Sequence, residues 1–88
     1  MKLKIERSFE RDFKKVRNKD LAQSILDAIN NVDSAKSIED ICNLKKLSGH
    51  RTAFRIRSGD YRIGIFIESN VVIFSAFDNR KDIYKRFP

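Results

Sequence analysis

The sequence predicts an α+β fold: a short N-terminal strand, a two-helix hairpin, then a three-stranded antiparallel meander and a short C-terminal helix or tail. Three observations carry this reading. Apolar residues recur every three or four positions from Phe9 to Val32, the period of a helix face. From Leu44 onward the period changes to two, as in strands with one buried face. Two turn signals, Ser58-Gly59-Asp60 and Ser69-Asn70, cut the second half into hairpin-length pieces. The 88 residues, 41% apolar, suit one domain spanning 1–88 with one modest core.

Leu3 and Ile5 alternate with Lys2 and Lys4, so residues 2–6 read as a strand. Ser8 is the expected N-cap of the first helix, whose apolar side is Phe9, Phe13 and Val16 and which runs to Asn18. A second helix is expected from about Lys19 to Val32, with the stripe Leu21, Ile25, Leu26, Ala28, Ile29 and Val32. Helices this short need a sheet to cover, which places the hairpin on one sheet face. Asp33 to Lys36 is a polar break, and Ser37 to Ile41 suits one helical turn. Arg51–Arg57, Tyr61–Ile67 and Val71–Phe77 read as the three strands, and the tail begins near Asp78 or Asn79. Cys42, beside Ile41 and Leu44, is expected to be a buried free thiol.

Charge is distributed unevenly. Residues 1–43 carry 9 basic and 8 acidic side chains, whereas residues 44–88 carry 10 basic and 4 acidic. An excess confined to one half points to nucleic acid or an acidic protein partner. A merely solvated basic surface is the plainer alternative. No run approaches the roughly 18 apolar residues of a membrane span, and no signal-peptide stretch opens the chain, so a cytoplasmic location without membrane contact is expected. There is no metal-ligand spacing, Gly-rich phosphate loop or nucleophile triad, so neither a metal nor a small-molecule cofactor is expected.

The most informative stretch is Phe54-Arg55-Ile56-Arg57 followed by Tyr61-Arg62-Ile63. Strand side chains alternate, so Arg55 and Arg57 share a face and Phe54 and Ile56 share the other. On the next strand Arg62 stands opposite Tyr61, Ile63, Ile65 and Ile67. Gly64 and Phe66 fall on the arginine face. Guanidinium groups gathered on one surface need an anion, and phosphate suits their planar fork. Gly64 suits either a bulge or the close approach of a nucleotide. Phe66 suits a stacking platform or a core position.

Together with Leu47-Ser48-Gly49, Gly59-Asp60 and Arg80-Lys81-Asp82-Ile83-Tyr84, these residues resemble the RelE branch of the RelE/ParE toxin superfamily. The resemblance spans nearly the whole chain and is specific mainly over residues 47–84. It implies the toxin of a type II toxin–antitoxin pair, a metal-free endoribonuclease that cleaves messenger RNA, usually on the ribosome, with a cognate antitoxin as partner. It further implies that Arg62 contacts the scissile phosphate, that Arg80 serves the leaving-group side, and that Tyr84 stacks on or positions the nucleotide. Arg55 and Arg57 stand where the family prototype has two lysines, and Asn79 where many relatives have histidine. Arginine is effectively never a base, and an amide is not a general acid, so phosphate binding is more legible than proton transfer.

The candidate catalytic set is thus Arg57, Arg62, Arg80 and Tyr84, with Arg55, Lys46, His50 and Phe66 as candidate RNA contacts. Metal-free cleavage has a 2′-OH attack the adjacent phosphate and expel the 5′-oxygen, aided by phosphate donors, in-line positioning and acid–base groups. His50 is the chain's only imidazole and either a base or a loop histidine. Structural alternatives stand beside each role. Asp60 can pair with Arg62, and Asp78 or Asp82 with Arg80. Tyr84 can pack in the core with Ile83 and Phe87. Alternatives for the whole chain are an RNA-binding homologue that no longer cleaves and a ParE-like gyrase inhibitor.

Overall fold

A computed structural model describes all of residues 1–88. Strand β1 (Lys2–Ile5) leads into helices α1 (Arg7–Lys14) and α2 (Lys19–Ser34) and a 3-10 turn at Ile38–Asp40. Strands β2 (Leu44–Lys46), β3 (Ala53–Ser58), β4 (Tyr61–Glu68) and β5 (Val71–Asn79) follow, and a second 3-10 turn at Ile83–Lys85 ends the chain. The sheet order is β1-β5-β4-β3-β2, with β1 parallel to β5 and all other neighbours antiparallel. The expected α+β architecture is therefore present, with one strand more than the sequence reading. Strand β2 escaped notice because it has three residues, two of them lysines, a composition suited to an exposed edge.

Helix α1 starts at Arg7, not after Ser8, and ends at Lys14 rather than Asn18. The Glu6 amide still bonds the Phe74 carbonyl of β5 at 3.1 Å, so the strand hands over directly to the helix. Asn18 instead caps α2, its side-chain oxygen accepting from the Leu21 amide at 3.0 Å. Both helices cover one sheet face, where Phe9, Ile25 and Val32 meet Ile56, Ile63, Ile65, Val72 and Phe74. Leu26, expected in the stripe, is 41% exposed because it lies off the Ile25–Val32 axis.

The hairpins use the predicted residues. Ser69 and Asn70 both have positive φ (50° and 64°), as a two-residue type I′ turn requires. Gly59 alone is positive (60°) in the β3–β4 turn. A bulge shifts the β4–β5 register: Gly64 pairs with Ala76 but Ile65 pairs with Phe74, leaving Ser75 as the extra residue. Its effect is a change of phase. Phe77 joins the helix-side core, while Ala76 turns to the other face. The Ser75 hydroxyl is held by the Glu6 carboxylate at the start of α1.

Candidate functional site

The face away from the helices carries Arg55 and Arg57 from β3 and Arg62 from β4, as strand alternation demands. Cross-strand register sets them against one another. Arg57 pairs with Arg62, Arg55 with Gly64, and Lys45 of β2 with Arg55, while on its other side Arg62 stands opposite Asp78 of β5. Like charges directly opposite destabilise a sheet by tenths of a kcal/mol to about 1 kcal/mol per pair. None of Arg55, Arg57, Arg62 and Arg80 is offset by an ion pair; the four ion pairs use Lys14, Lys85 and Arg86. Asp60 does not pair with Arg62, and Asp78 and Asp82 are taken by Arg86 and Lys85 rather than Arg80.

Carbonyl oxygens hold the side chains of Arg62 and Arg55 instead. Arg62 Nη1 donates to Gly59 O at 2.8 Å and Tyr61 O at 3.0 Å, which fixes the guanidinium and leaves the rest of its fork free. Arg55 Nη1 donates to Asn43 O at 3.0 Å. The Arg80 amide donates to Asp60 O at 2.8 Å, so Arg80 emerges beside the β3–β4 turn.

The tail then folds back over the open face. Asn79 starts the reversal: its side-chain oxygen accepts from the amides of Lys81 (2.9 Å) and Asp82 (3.0 Å). Its side-chain nitrogen donates to the Asp82 carboxylate at 2.9 Å. That bond, with help from Lys85, holds the Asp82 carboxyl below its ordinary value of 3.8. Such an acid keeps its folded-state contribution above that value and loses it only in stronger acid. Ile83 and Phe87 are buried in a second apolar cluster with Ala53, against Leu47, Phe66 and Ala76. Arg86 ties the tail to Asp12 of α1 at 3.1 Å and to Asp78 at 3.6 Å.

The space over Gly64 is therefore filled by the chain's own tail, not by a nucleotide. A Cβ built there would stand 2.5 Å from the Phe87 ring. Phe66 is likewise no open platform: its ring lies 5.0 Å from that of Phe87. The site of closest packing on this face is thus an anchor for the tail, and the anchor leaves Tyr84 53% exposed rather than in the core.

Arg55, Arg62, Arg80, Tyr84 and Lys46 line one groove of about 550 Å³, joined by Lys45 and Lys81. Arg57 lines an adjoining depression of about 820 Å³, which shares Arg62 and Arg80 with the groove. His50 does not line the groove but a smaller hollow of the β2–β3 loop beside it, which shares Lys46, Leu47 and Ser48 with the groove. Sequence reasoning missed Lys45 and Lys81. The signal for Lys45 was available only through the register of β2 against β3, and that for Lys81 through the tail's return. Cys42 is exposed, not buried. Ile41 takes the core position, and Asn43, with φ of 61°, turns the chain so that Cys42 opens onto the depression that Arg57 lines.

No protein-family model matches the sequence. Over 89 residues, spanning the whole of both chains, it is 34% identical to Toxin RelE3 of Methanocaldococcus jannaschii. The chain belongs to the RelE toxin family. Among solved structures, the fold is similar to the toxin–antitoxin complex RelB–RelE of Methanococcus jannaschii, with a TM-score of 0.78 and 31% identity over 97% of this chain and 99% of that one. An archaeal RelE–RelB complex from Pyrococcus horikoshii gives a TM-score of 0.70 at 18% identity, covering 90% and 93%. The YoeB–YefM complex of Staphylococcus aureus gives 0.68 at 15% identity, covering 91% and 97%. These last two speak for the fold alone.

Proposed function

We propose that this RelE-family chain is the toxin of a type II toxin–antitoxin pair and cleaves messenger RNA on the ribosome, in the cytoplasm, silenced by a cognate antitoxin. The observation that carries the reading is the groove in which Arg55, Arg62 and Arg80 converge beside an exposed Tyr84 without a carboxylate partner. Arg62 and Arg80 grip the non-bridging oxygens of the scissile phosphate, where charge grows as the 2′-oxygen attacks. Tyr84 stacks on a neighbouring base and aligns the attack, a contact worth about 1–3 kcal/mol. Arg55 and Arg57 hold the flanking backbone. Lys45 and Lys81 add positive charge along the same groove.

The antitoxin is expected to be acidic, since the second half of the chain carries the positive excess and such pairs associate quickly. No helix is long and apolar enough to cross a membrane. A second reading, an RNA-gripping homologue that does not cut, is favoured by one observation: no imidazole or carboxylate lines the groove. Mapping messenger-RNA 5′ ends after incubation with the protein, with and without ribosomes, separates the two. New ends within ribosome-held codons support cleavage. Salt-sensitive RNA binding with no new ends supports gripping alone.

A further inference from the structure

We propose that the depression between α2 and the β3–β4 hairpin is a base-reading subsite. It would receive the nucleotide next to the cleaved phosphate and favour a base with an exocyclic amine, that is guanine, adenine or cytosine over uracil. The proposal rests on the RNA-directed reading of the neighbouring groove and gives that site a selectivity.

Arg62 and Arg80 line both hollows, so a phosphate bound by the two sits at their junction. A phosphodiester carries a nucleoside on each side. Tyr84 occupies one hollow; the other, at about 820 Å³, has ample room for the second nucleoside. Its lining differs in kind. No aromatic ring is present, so a base there is read at its edge rather than by stacking. The charged acceptors in that lining are the carboxylates of Asp27 on α2 and Asp60 in the β3–β4 turn.

Both carboxylates are without an ion pair although three arginines line the same depression. Asp27 Oδ1 accepts from Gln23 Nε2 at 2.8 Å, which orients it and leaves its second oxygen free. Asp60 uses only its backbone oxygen, for the Arg80 amide. A carboxylate accepts from an exocyclic amine, as it does from cytosine N4. Uracil offers one N–H between two carbonyl oxygens, which two carboxylates repel. Arg57 at the rim holds the next phosphate. The arginines thus locate the strand, and the acids choose the base.

The test uses ribosomes programmed with messages that differ only at the nucleotides flanking the cut. The wild-type protein is expected to cleave beside amine-bearing bases roughly tenfold or more faster than beside uracil, the span of one good base contact. Asp27→Ala and Asp60→Ala together should shrink that ratio below about threefold, by slowing cleavage beside amine-bearing bases and lifting the repulsion of uracil. Equal wild-type rates, or a ratio unmoved in the double variant, overturn the subsite. So does weaker antitoxin binding with an unchanged ratio, which would make the depression an antitoxin contact. Should the protein grip without cutting, Cys42 gives the readout, because its exposed thiol opens onto the depression. On the same ribosomes, iodoacetamide should label it about fivefold more slowly with amine-bearing bases than with uracil. Equal labelling overturns the subsite without touching the reading of the groove.

Discussion

On the helix side of the sheet, Ile56, Ile63, Ile65, Val72 and Phe74 meet Phe9 and Ile25, and no polar or charged residue is buried among them. On the other side the same strands carry Arg55, Arg57 and Arg62: Arg57 faces Arg62, Arg55 faces Lys45, and the one acid in register, Asp78 opposite Arg62, is paired with Arg86 instead. One face follows the ordinary rule of a packed core. The other breaks the rule that like charges are kept apart across strands. Local rules tend to be broken at functional sites, and here the well-packed face offsets the cost. A small apolar cluster on the open face, where Ile83 and Phe87 sit against Ala53, holds the tail that completes the groove.

If the two faces divide stability from function, substitutions should sort by face. Phe74→Ala, a fully buried ring lost from the helix side, should cost about 3–5 kcal/mol in a denaturant titration. A cost under about 1 kcal/mol would mean that this face is not the main core.

Gly64→Ala falls between the two classes. Its Cβ meets the Phe87 ring, so the tail must move or strain, costing about 1–3 kcal/mol. Cleavage should fall about tenfold or more, because Arg80 and Tyr84 reach the groove through that tail. In a Phe87→Ala background the same change should add almost nothing, since the two residues share one contact. Additive effects in the double variant would show that Gly64 matters for some other reason.

Tyr84 belongs wholly to the open face. Tyr84→Ala should lower single-turnover cleavage roughly ten- to a hundredfold, in line with about 1–3 kcal/mol of stacking, and leave stability nearly unchanged. Tyr84→Phe should keep most activity. Equal inactivity of the two variants would assign the hydroxyl a part in proton transfer.

The smallest effect is expected from pH. Asn79 is engaged in the turn with Lys81 and Asp82 and has no titrating proton, and His50 lies outside the groove. The cleavage rate should therefore show no steep step between about pH 6 and 7, the range of a histidine acid. The Asp82 carboxyl, held below 3.8, keeps the tail's turn intact across that range. A tenfold step there that disappears with His50→Ala would bring the loop histidine into the reaction.

Much of this division is legible in the sequence because a strand's period of two writes both faces at once: Phe54 and Ile56 against Arg55 and Arg57. Other features lie beyond local pattern. The phase change that puts Phe77 inward and Ala76 outward depends on a bulge whose extra residue, Ser75, has no marker of its own. Gly64 suits a bulge or room for a nucleotide; the bulge lies beside it, but the seat of Phe87 over it joins residues 23 apart and has no local signal. Lys45 enters the groove only because a three-residue edge strand pairs with β3. Cys42 resembles a core residue by its neighbours, yet the positive φ of Asn43 decides its direction.

The central claim is that the open face grips a scissile phosphate, and Arg62 is the residue on which it turns. The decisive measurement is the single-turnover cleavage rate of a defined message on programmed ribosomes for Arg62→Ala against the wild type, alongside a thermal melt. Loss of a preorganised phosphate donor should cost about 3–4 kcal/mol of transition-state stabilisation, a hundredfold or more in rate, with the protein still folded and its melting temperature little changed, since relief of repulsion against Arg57 is set against loss of the bonds to Gly59 O and Tyr61 O. A folded Arg62→Ala protein that cleaves at near the wild-type rate would contradict the account.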